Sequence, residues 1–183
     1  MIKVIAGKYR GRSLFVPDSL LVPSKSIVRE AIGNMAQSAL EGAICLDLFA
    51  GSGSLGIEFL SRGAASCDFI DRSNDCVQAI KKNLATLQER NGRVYPCDSI
   101  AFLKEAAATY DIIFIDPPYK ELGLYEEALA IIDGRGLLKK DGFIIMEFEE
   151  AFPLHDGFSY SKVYRYGKTK LIKAKKKTAE AVS

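Results

Sequence analysis

The sequence of 183 residues contains no tryptophan and only one histidine, His155. Nucleophilic catalysis by a serine–histidine or cysteine–histidine pair would therefore have to use this residue. His155 lies in a loop-like segment with no motif around it, and we interpret it as a surface residue. Histidine-dependent chemistry is not expected.

Cysteine is scarce, and no apolar run is long enough to span a bilayer. The four cysteines, which show no C-x-x-C spacing, are Cys45, Cys67, Cys76 and Cys97. Buried, reduced thiols are the expected state, without a metal site. No signal peptide is recognised after Met1, so we expect a cytoplasmic protein with no membrane partner. A monomer is expected.

The net charge is only +2, but basic residues are concentrated near both ends of the chain. Such a distribution is typical of a surface that binds phosphates, although a run of charge is more often simply solvated. The length suits one domain. We predict a basic β-hairpin appendage over residues 1–22, a main domain over residues 23–174 and a basic disordered tail over residues 175–183.

The main domain shows strand-like and helix-like segments in alternation, which predicts an α/β fold with a parallel sheet. Strands are predicted at 44–50, 67–71, 93–97, 111–116 and 143–148, and helices at 54–62, 74–90, 99–108 and 124–133. Two strands at 158–166 and 169–174 follow with no helix between them, which predicts a closing hairpin.

A further helix is predicted after Pro23. Its apolar face would contain Ile27, Ala31, Ile32 and Met35, and Lys25 and Arg29 would point to solvent or ligand.

The segment Tyr110-Asp-Ile-Ile-Phe-Ile-Asp-Pro-Pro-Tyr119 is the most informative part of the sequence. Ile112 to Ile115 predict a strand that is buried on both faces, and ligands bind at the carboxyl ends of such strands. Asp116 and a backbone carbonyl, that of Pro117, could hold the two hydrogens of a planar amino group and so restore its lone pair. Tyr119 could stack on a base that has left its helix.

Residues Leu46 to Gly56 predict a strand, a glycine loop and the start of a helix. Gly51, Gly53 and Gly56 satisfy G-x-G-x-x-G, in which glycine allows the backbone to approach a ligand closely. Asp71 follows the next strand, at the distance expected of a carboxylate that binds ribose hydroxyls. These features fit an NAD site and an S-adenosylmethionine site equally well.

Two further carboxylates help to distinguish these cofactors. Asp47, just before the loop, suits the cationic amino-acid end of S-adenosylmethionine, whereas a pyrophosphate would gain nothing from it. Asp98 could bind an adenine amino group or could cap the helix over 99–108, and these roles are comparably well supported. Together with Asp116, the pattern favours methyl transfer.

Four segments in this order resemble the RsmD family, class I methyltransferases that use S-adenosylmethionine to methylate a guanine N2 in 16S ribosomal RNA. They are Gly7 to Arg12, Leu46 to Gly56, Asp116 to Tyr119 and Tyr166 to Thr169. The resemblance covers nearly the whole chain and implies a Rossmann-like sheet of seven mostly parallel strands with helices on both faces. The expected partner is 16S rRNA or a partly assembled small ribosomal subunit.

The resemblance also implies roles for individual residues. The catalytic residues would be Asp116, Pro117, Pro118 and Tyr119. The cofactor S-adenosyl-L-methionine would contact Asp47, Phe49, Ala50, Gly51, Ser52, Gly53, Gly56, Asp71, Arg72, Asp98 and Ser99. RNA would contact Lys8, Arg10, Arg12, Lys25, Arg29 and Lys168. One departure is Val22, where the family usually has arginine.

Three alternatives are weighed against this interpretation. DNA adenine-N6 or cytosine-N4 methyltransferases share the Asp-Pro-Pro-Tyr chemistry but usually carry a separate target-recognition region, for which this chain has no room. A non-catalytic RNA-binding assembly protein is disfavoured by the intact segment from Asp116 to Tyr119. An NAD-dependent oxidoreductase is disfavoured because no hydride-transfer constellation is found.

Overall fold

The computed structural model describes residues 2–20, 26–118, 121–151 and 154–177. The strands are β1 (Ile2–Lys3), β2 (Ser13–Leu14), β3 (Ile44–Asp47), β4 (Ser66–Ile70), β5 (Gly92–Tyr95), β6 (Tyr110–Ile115), β7 (Leu138–Phe148), β8 (Phe158–Tyr160), β9 (Tyr164–Tyr166) and β10 (Thr169–Lys176). The helices are α1 (Ser26–Leu40), α2 (Ser54–Ser61), α3 (Asn74–Leu87), α4 (Ser99–Glu105) and α5 (Gly123–Arg135).

The main sheet has the strand order β5-β4-β3-β6-β7-β10-β8, and β9 also pairs with β10. The first five strands of this order are parallel to one another, and β10 is antiparallel to β7. The predicted α/β fold with a mostly parallel sheet and a closing hairpin is therefore confirmed. The order reverses between β3 and β6, which is where open α/β sheets bind their ligands.

Strand β6 is covered on both faces, as its apolar sequence predicts. Ile112 and Phe114 pack into a core with α1, α2 and α3, whereas Ile113 and Ile115 pack into a second core with α4 and α5. This alternation follows from the two-residue period of a strand. Covering both faces fixes the position of Asp116, the residue that immediately follows β6.

The outer edge of the sheet differs from the predicted continuous strand over 158–166. Residues 161–163 interrupt it, so β8 pairs with one half of β10 and β9 pairs with the other half. At the break, the Ser161 hydroxyl accepts the backbone N–H of Lys173 at 3.0 Å. Among the described residues, the sheet therefore contains eight strands in seven positions. The predicted disordered tail over residues 175–183 is wrong for its first residues, because Lys175 and Lys176 belong to β10, and residues 178–183 lie outside the described residues.

The predicted face of α1 is shifted by one residue. Val28, Ile32, Ala36 and Leu40 are buried at four-residue spacing, whereas Ile27 is 57% exposed. This shift rotates the next position, Arg29, into the protein instead of towards solvent.

Several predicted elements have different ends. Helix α3 stops at Leu87 rather than 90 because Gln88 adopts a left-handed conformation with φ 56°. Helix α4 stops at Glu105, and β3 ends at Asp47 rather than at 50. Strand β7 begins at Leu138, and its pairing with β6 shifts register between Tyr110 and Ile112.

The amino-terminal hairpin of β1 and β2 is confirmed, but it is part of the main domain rather than an appendage. Its residues Val4 and Leu14 are buried in the same core as α1 and α2. The carboxylate of Glu58 in α2 accepts the backbone N–H groups of Ile5 at 2.8 Å and Ala6 at 2.9 Å. Glu58 also pairs with Arg62 at 2.8 Å. These contacts attach the hairpin to α2.

None of the described helices has the length and apolar character needed to cross a bilayer. All four cysteines are free, and three of them are buried.

Candidate active site

Carboxylates follow several neighbouring strands at one edge of the sheet. Asp47 ends β3, Asp71 follows β4, Asp98 follows β5, Asp116 follows β6, and Glu147 lies near the end of β7. Because these strands are parallel, their carboxyl ends meet at the same edge. The structure thus brings Asp47, Asp71 and Asp116 to one edge of the sheet, around the β3–β6 crevice.

The glycine loop leads from β3 into α2 as the sequence predicts. Gly51 and Gly53 have positive φ values of 55° and 75°, which glycine adopts without steric cost. Gly56 is needed for packing, because a Cβ atom there would lie 2.3 Å from the Phe69 ring. Alanine at 56 would push the helix away from β4.

Asp47 is buried beneath the loop and is 1% exposed. Its carboxylate accepts the backbone N–H of Gly56 at 3.0 Å. Burial raises the pKa of Asp47 to about 7, the hydrogen bond from Gly56 opposes that rise, and the charge of Asp71 adds to it. A cation placed here would relieve the cost of keeping this carboxylate ionised.

Asp71 anchors the glycine loop from the neighbouring strand. It accepts the backbone N–H of Gly51 and that of Ser73, each at 2.8 Å. Burial raises the pKa of Asp71, against the two hydrogen bonds and the nearby charge of Arg72. The sequence links Asp71 to a ligand, and the structure adds a second role in holding the loop.

Other predicted cofactor residues have roles within the protein. Asp98 is exposed and caps α4 by accepting the Ala101 N–H at 2.9 Å, so the capping role is confirmed. The buried Ser99 hydroxyl donates to the Leu48 carbonyl. Arg72 is exposed and lies 3.5 Å from Glu121. Buried Ala50 and Ser52 and half-buried Phe49 line the same loop.

Asp116 is half-buried in an acidic environment. Burial raises the pKa of its carboxyl well above the usual value, and the charges of Glu147, Asp47 and Glu149 raise it further. Pro117 is buried and Pro118 is exposed. Tyr119 lies outside the described residues. The acidic cluster makes this crevice favourable to a cation and unfavourable to a phosphate.

The predicted RNA-binding residues do not form one surface. Lys168 is exposed in the β9–β10 turn, which lies near the end of β7 because Lys170 pairs with Phe148. The loop that carries the other basic residues lies elsewhere: Lys8 contacts Ser61 at the end of α2, and Arg12 contacts Thr86 near the end of α3. These helix ends are remote from the carboxyl edge of the sheet, where both helices begin. Lys25 lies outside the described residues.

The structure contradicts the prediction that Arg29 is exposed and contacts RNA. Its side chain is buried, and the guanidinium donates to the Lys3 carbonyl at 3.2 Å. Burial lowers the pKa of Arg29, and the nearby charge of Glu58 opposes that change. We therefore assign Arg29 to the junction between the hairpin and the helices.

Two contributions to the site were missed at the level of sequence. Glu147 and Glu149 supply negative charge beside Asp116, and their position at the end of a predicted strand was the available signal.

The second is Asn83, for which the sequence predicts only a place in the helix over 74–90. Its amide donates to the carbonyls of Phe15 at 2.9 Å and Ser52 at 3.2 Å, joining the amino-terminal segment to the glycine loop.

A family model described as conserved hypothetical protein 95 matches residues 2–175. The chain belongs to that family. It is 41% identical over 149 residues to ribosomal RNA small subunit methyltransferase D of Escherichia coli, which covers 81% of this chain and 75% of that protein. The family resemblance drawn from the sequence is confirmed.

Another relative, YlbH of Bacillus subtilis, is 42% identical over 158 residues, covering 84% of this chain and 85% of YlbH. The solved structure of yhhF from Escherichia coli superposes with a TM-score of 0.88 at 34% identity, covering 97% of this chain and 99% of that one. The class I methyltransferase fold expected of this family member is confirmed.

Proposed function

We propose that this protein transfers a methyl group from S-adenosylmethionine to the exocyclic N2 of a guanine in 16S ribosomal RNA. The observation that carries the proposal is the position of Asp116 beside the β3–β6 crevice, next to Asp47 and the glycine loop. The similarity to ribosomal RNA small subunit methyltransferase D of Escherichia coli supports an rRNA substrate. The acceptor atom and the donor are inferred from the chemistry of the site.

The residues present fit S-adenosylmethionine. Asp47 is a buried carboxylate destabilised by its surroundings, so a cationic ammonium group would find a partner there. The carboxylate oxygens of Asp71 can accept hydrogen bonds from ribose hydroxyls while they also accept the backbone N–H of Gly51. A dinucleotide pyrophosphate would instead bring negative charge beside Asp47, Asp71 and Asp116. The acidic crevice therefore supports S-adenosylmethionine over NAD.

The bound cofactor would supply an electrophilic methyl group on a cationic sulfonium. Asp116 would accept one hydrogen of the guanine amino group, and the Pro117 carbonyl would accept the other. These hydrogen bonds would localise the nitrogen lone pair and direct it at the methyl carbon, with the neutral thioether as the leaving group. The nitrogen becomes acidic as it gains the methyl group, and Asp116 is then basic enough to take the released proton.

Orientation contributes much of the expected acceleration, because the amino nitrogen must approach in line with the breaking bond. Tyr119 would hold the extruded base by stacking, and Lys168 would contact nearby phosphates.

The decisive test is transfer of radiolabelled methyl groups to small-subunit rRNA from cells that lack the enzyme. We expect label in the RNA, at N2 of one guanine, and none in DNA. Label confined to adenine or cytosine of DNA would replace the proposal by the DNA methyltransferase alternative. Binding of NADH without binding of S-adenosylmethionine would reject it entirely.

A further inference from the structure

An exposed aromatic ring lies beside the glycine loop on the outside of α3. Phe15 is 40% exposed, although its backbone is held firmly. Its N–H donates to the Asn83 side chain at 2.7 Å, and its carbonyl accepts from the same side chain. The backbone is thus fixed while the ring remains in solvent, which is an arrangement suited to contact with another molecule.

One cation lies over this ring, and two more belong to the adjoining amino-terminal loop. The Lys82 ammonium lies 4.2 Å from the centre of the Phe15 ring. One helical turn further along α3, the Thr86 carbonyl accepts the Arg12 guanidinium at 3.2 Å. Arg10 is exposed on the adjoining loop. We define Arg10, Arg12, Phe15 and Lys82 as the α3 patch.

Glu89, an acid beyond the end of α3, does not cancel the charge of the patch. Glu89, just beyond α3, is buried and accepts Lys8 at 2.7 Å and the Tyr9 hydroxyl at 2.8 Å. Lys8 therefore neutralises Glu89 internally. Among the described residues, Arg12 contacts the Thr86 carbonyl and Lys82 contacts the Phe15 ring, and neither partner carries a charge that would compete with an external anion.

We propose that the α3 patch is a second RNA-contact surface, at which Phe15 stacks on a base and Lys82 and Arg12 bind flanking phosphates. A ring between cations is the combination with which proteins hold single-stranded nucleic acid. The proposal rests on the proposed function, because it assigns the patch to the RNA that would supply the acceptor guanine.

The position of the patch defines the size of that substrate. Helix α3 starts at Asn74, close to Asp71, and Lys82 and Thr86 lie about 12 Å and about 18 Å further along its axis. Asp116 adds to this separation, because it follows β6, which lies two strands from β4 in the sheet. The RNA must continue for several nucleotides beyond the acceptor base, so the patch selects extended RNA over short fragments.

The experiment compares Lys82→Ala with Lys140→Ala, a matched loss of one exposed lysine in β7. Binding of a fragment of small-subunit rRNA is measured by fluorescence anisotropy over a range of salt concentrations. For Lys82→Ala we expect weaker binding, with a slope of log K against log salt that is shallower by about 0.7 to 0.9. The control should keep the wild-type slope.

Phe15→Leu tests stacking separately from apolar packing, and Phe15→Tyr serves as its control. Leucine should weaken RNA binding by about tenfold, whereas tyrosine should retain it. Thermal unfolding checks that both variants remain folded. A guanine-containing oligonucleotide too short to span α3 should bind all variants equally.

Unchanged affinity and salt slope in both Lys82→Ala and Phe15→Leu would overturn the proposal, including the case in which the patch serves a protein partner. The test is independent of catalysis. If the wild-type enzyme binds rRNA but transfers no methyl group to it, the proposed function fails while the binding comparison still decides the role of the patch.

Discussion

The carboxylate of Asp71 holds the backbone N–H of Gly51 at 2.8 Å, which joins the end of β4 to the glycine loop that follows β3. A residue selected from the sequence for binding a ligand therefore also determines the shape of the site. Replacing it should affect both properties, and the two effects can be measured separately.

Asp71→Ala should weaken S-adenosylmethionine binding by roughly 1–3 kcal/mol and also lower the melting temperature, because Gly51 and Ser73 lose their acceptor. Asp71→Asn keeps an acceptor oxygen. Its melting temperature should therefore be closer to that of wild type than its affinity for S-adenosylmethionine is. Calorimetric titration and thermal unfolding measure the two quantities. Full affinity in the alanine variant would show that Asp71 has only a structural role.

Asp116→Ala should lower the rate of the chemical step rather than the affinity for cofactor or RNA. One acceptor of the amino hydrogens is lost while the glycine loop stays intact, so we expect single-turnover methylation to fall by about two orders of magnitude. Cofactor affinity and the melting temperature should remain near wild type. Methylation at the wild-type rate with saturating cofactor would exclude Asp116 from catalysis.

The rate should also depend on pH through Asp116. Burial and the charges of Glu147, Asp47 and Glu149 raise its pKa, and the ionised form accepts the amino hydrogen more strongly and can take the released proton. The single-turnover rate should therefore increase with pH, with a midpoint above the ordinary aspartate value of about 4. Glu149→Gln removes one of these charges and should move the midpoint down. A flat profile from pH 4 to 8 would contradict this assignment.

Asp47 should reduce the stability of the ligand-free protein as the pH rises. Its pKa is raised to about 7, so the folded state binds a proton that the unfolded chain releases near pH 4. By linkage, its contribution to the free energy of unfolding falls from about pH 4 to pH 7 and stays low above that. Asp47→Asn should melt at a higher temperature than wild type at pH 8 yet bind S-adenosylmethionine more weakly. A variant that is less stable at pH 8 would disprove this account.

Glu58 should be essential for attaching the amino-terminal hairpin. Glu58→Ala removes the acceptor of Ile5, Ala6 and Arg62 and leaves the buried Arg62 side chain without its charged partner, so we expect the free energy of unfolding to fall by about 3–5 kcal/mol. Urea unfolding measures this loss, and limited proteolysis should cut the hairpin first. The control is Glu30→Ala on the exposed face of α1, which should change little.

The order of strands and helices and the acidic edge of the sheet could be predicted because they depend on local pattern. A buried strand followed by Asp116, and a strand followed by the glycine loop, are readable within about ten residues. The burial of Arg29 could not be predicted in this way. It depends on a carbonyl from β1 and on the carboxylate of Glu58, which are distant in sequence, and a one-residue shift in the face of α1 reversed its environment.

The basic loop of Lys8, Arg10 and Arg12 was predicted as one group because its members are close in sequence. The structure separates them by partner: Lys8 neutralises Glu89, Arg12 caps a carbonyl of α3, and Arg10 is exposed. Charge alone cannot reveal this division, because the partners come from a helix more than 70 residues later in the chain.

The interrupted strand at the outer edge of the sheet also affects how copies of this protein meet one another. A continuous edge strand exposes a row of unpaired N–H and C=O groups, and such a row can template pairing with a second chain. Here that row is divided into β8 and β9 of three residues each, and neither is long enough to form an extended intermolecular ladder. The break at Ser161 thus protects against aggregation at the sheet edge that the closing hairpin would otherwise expose.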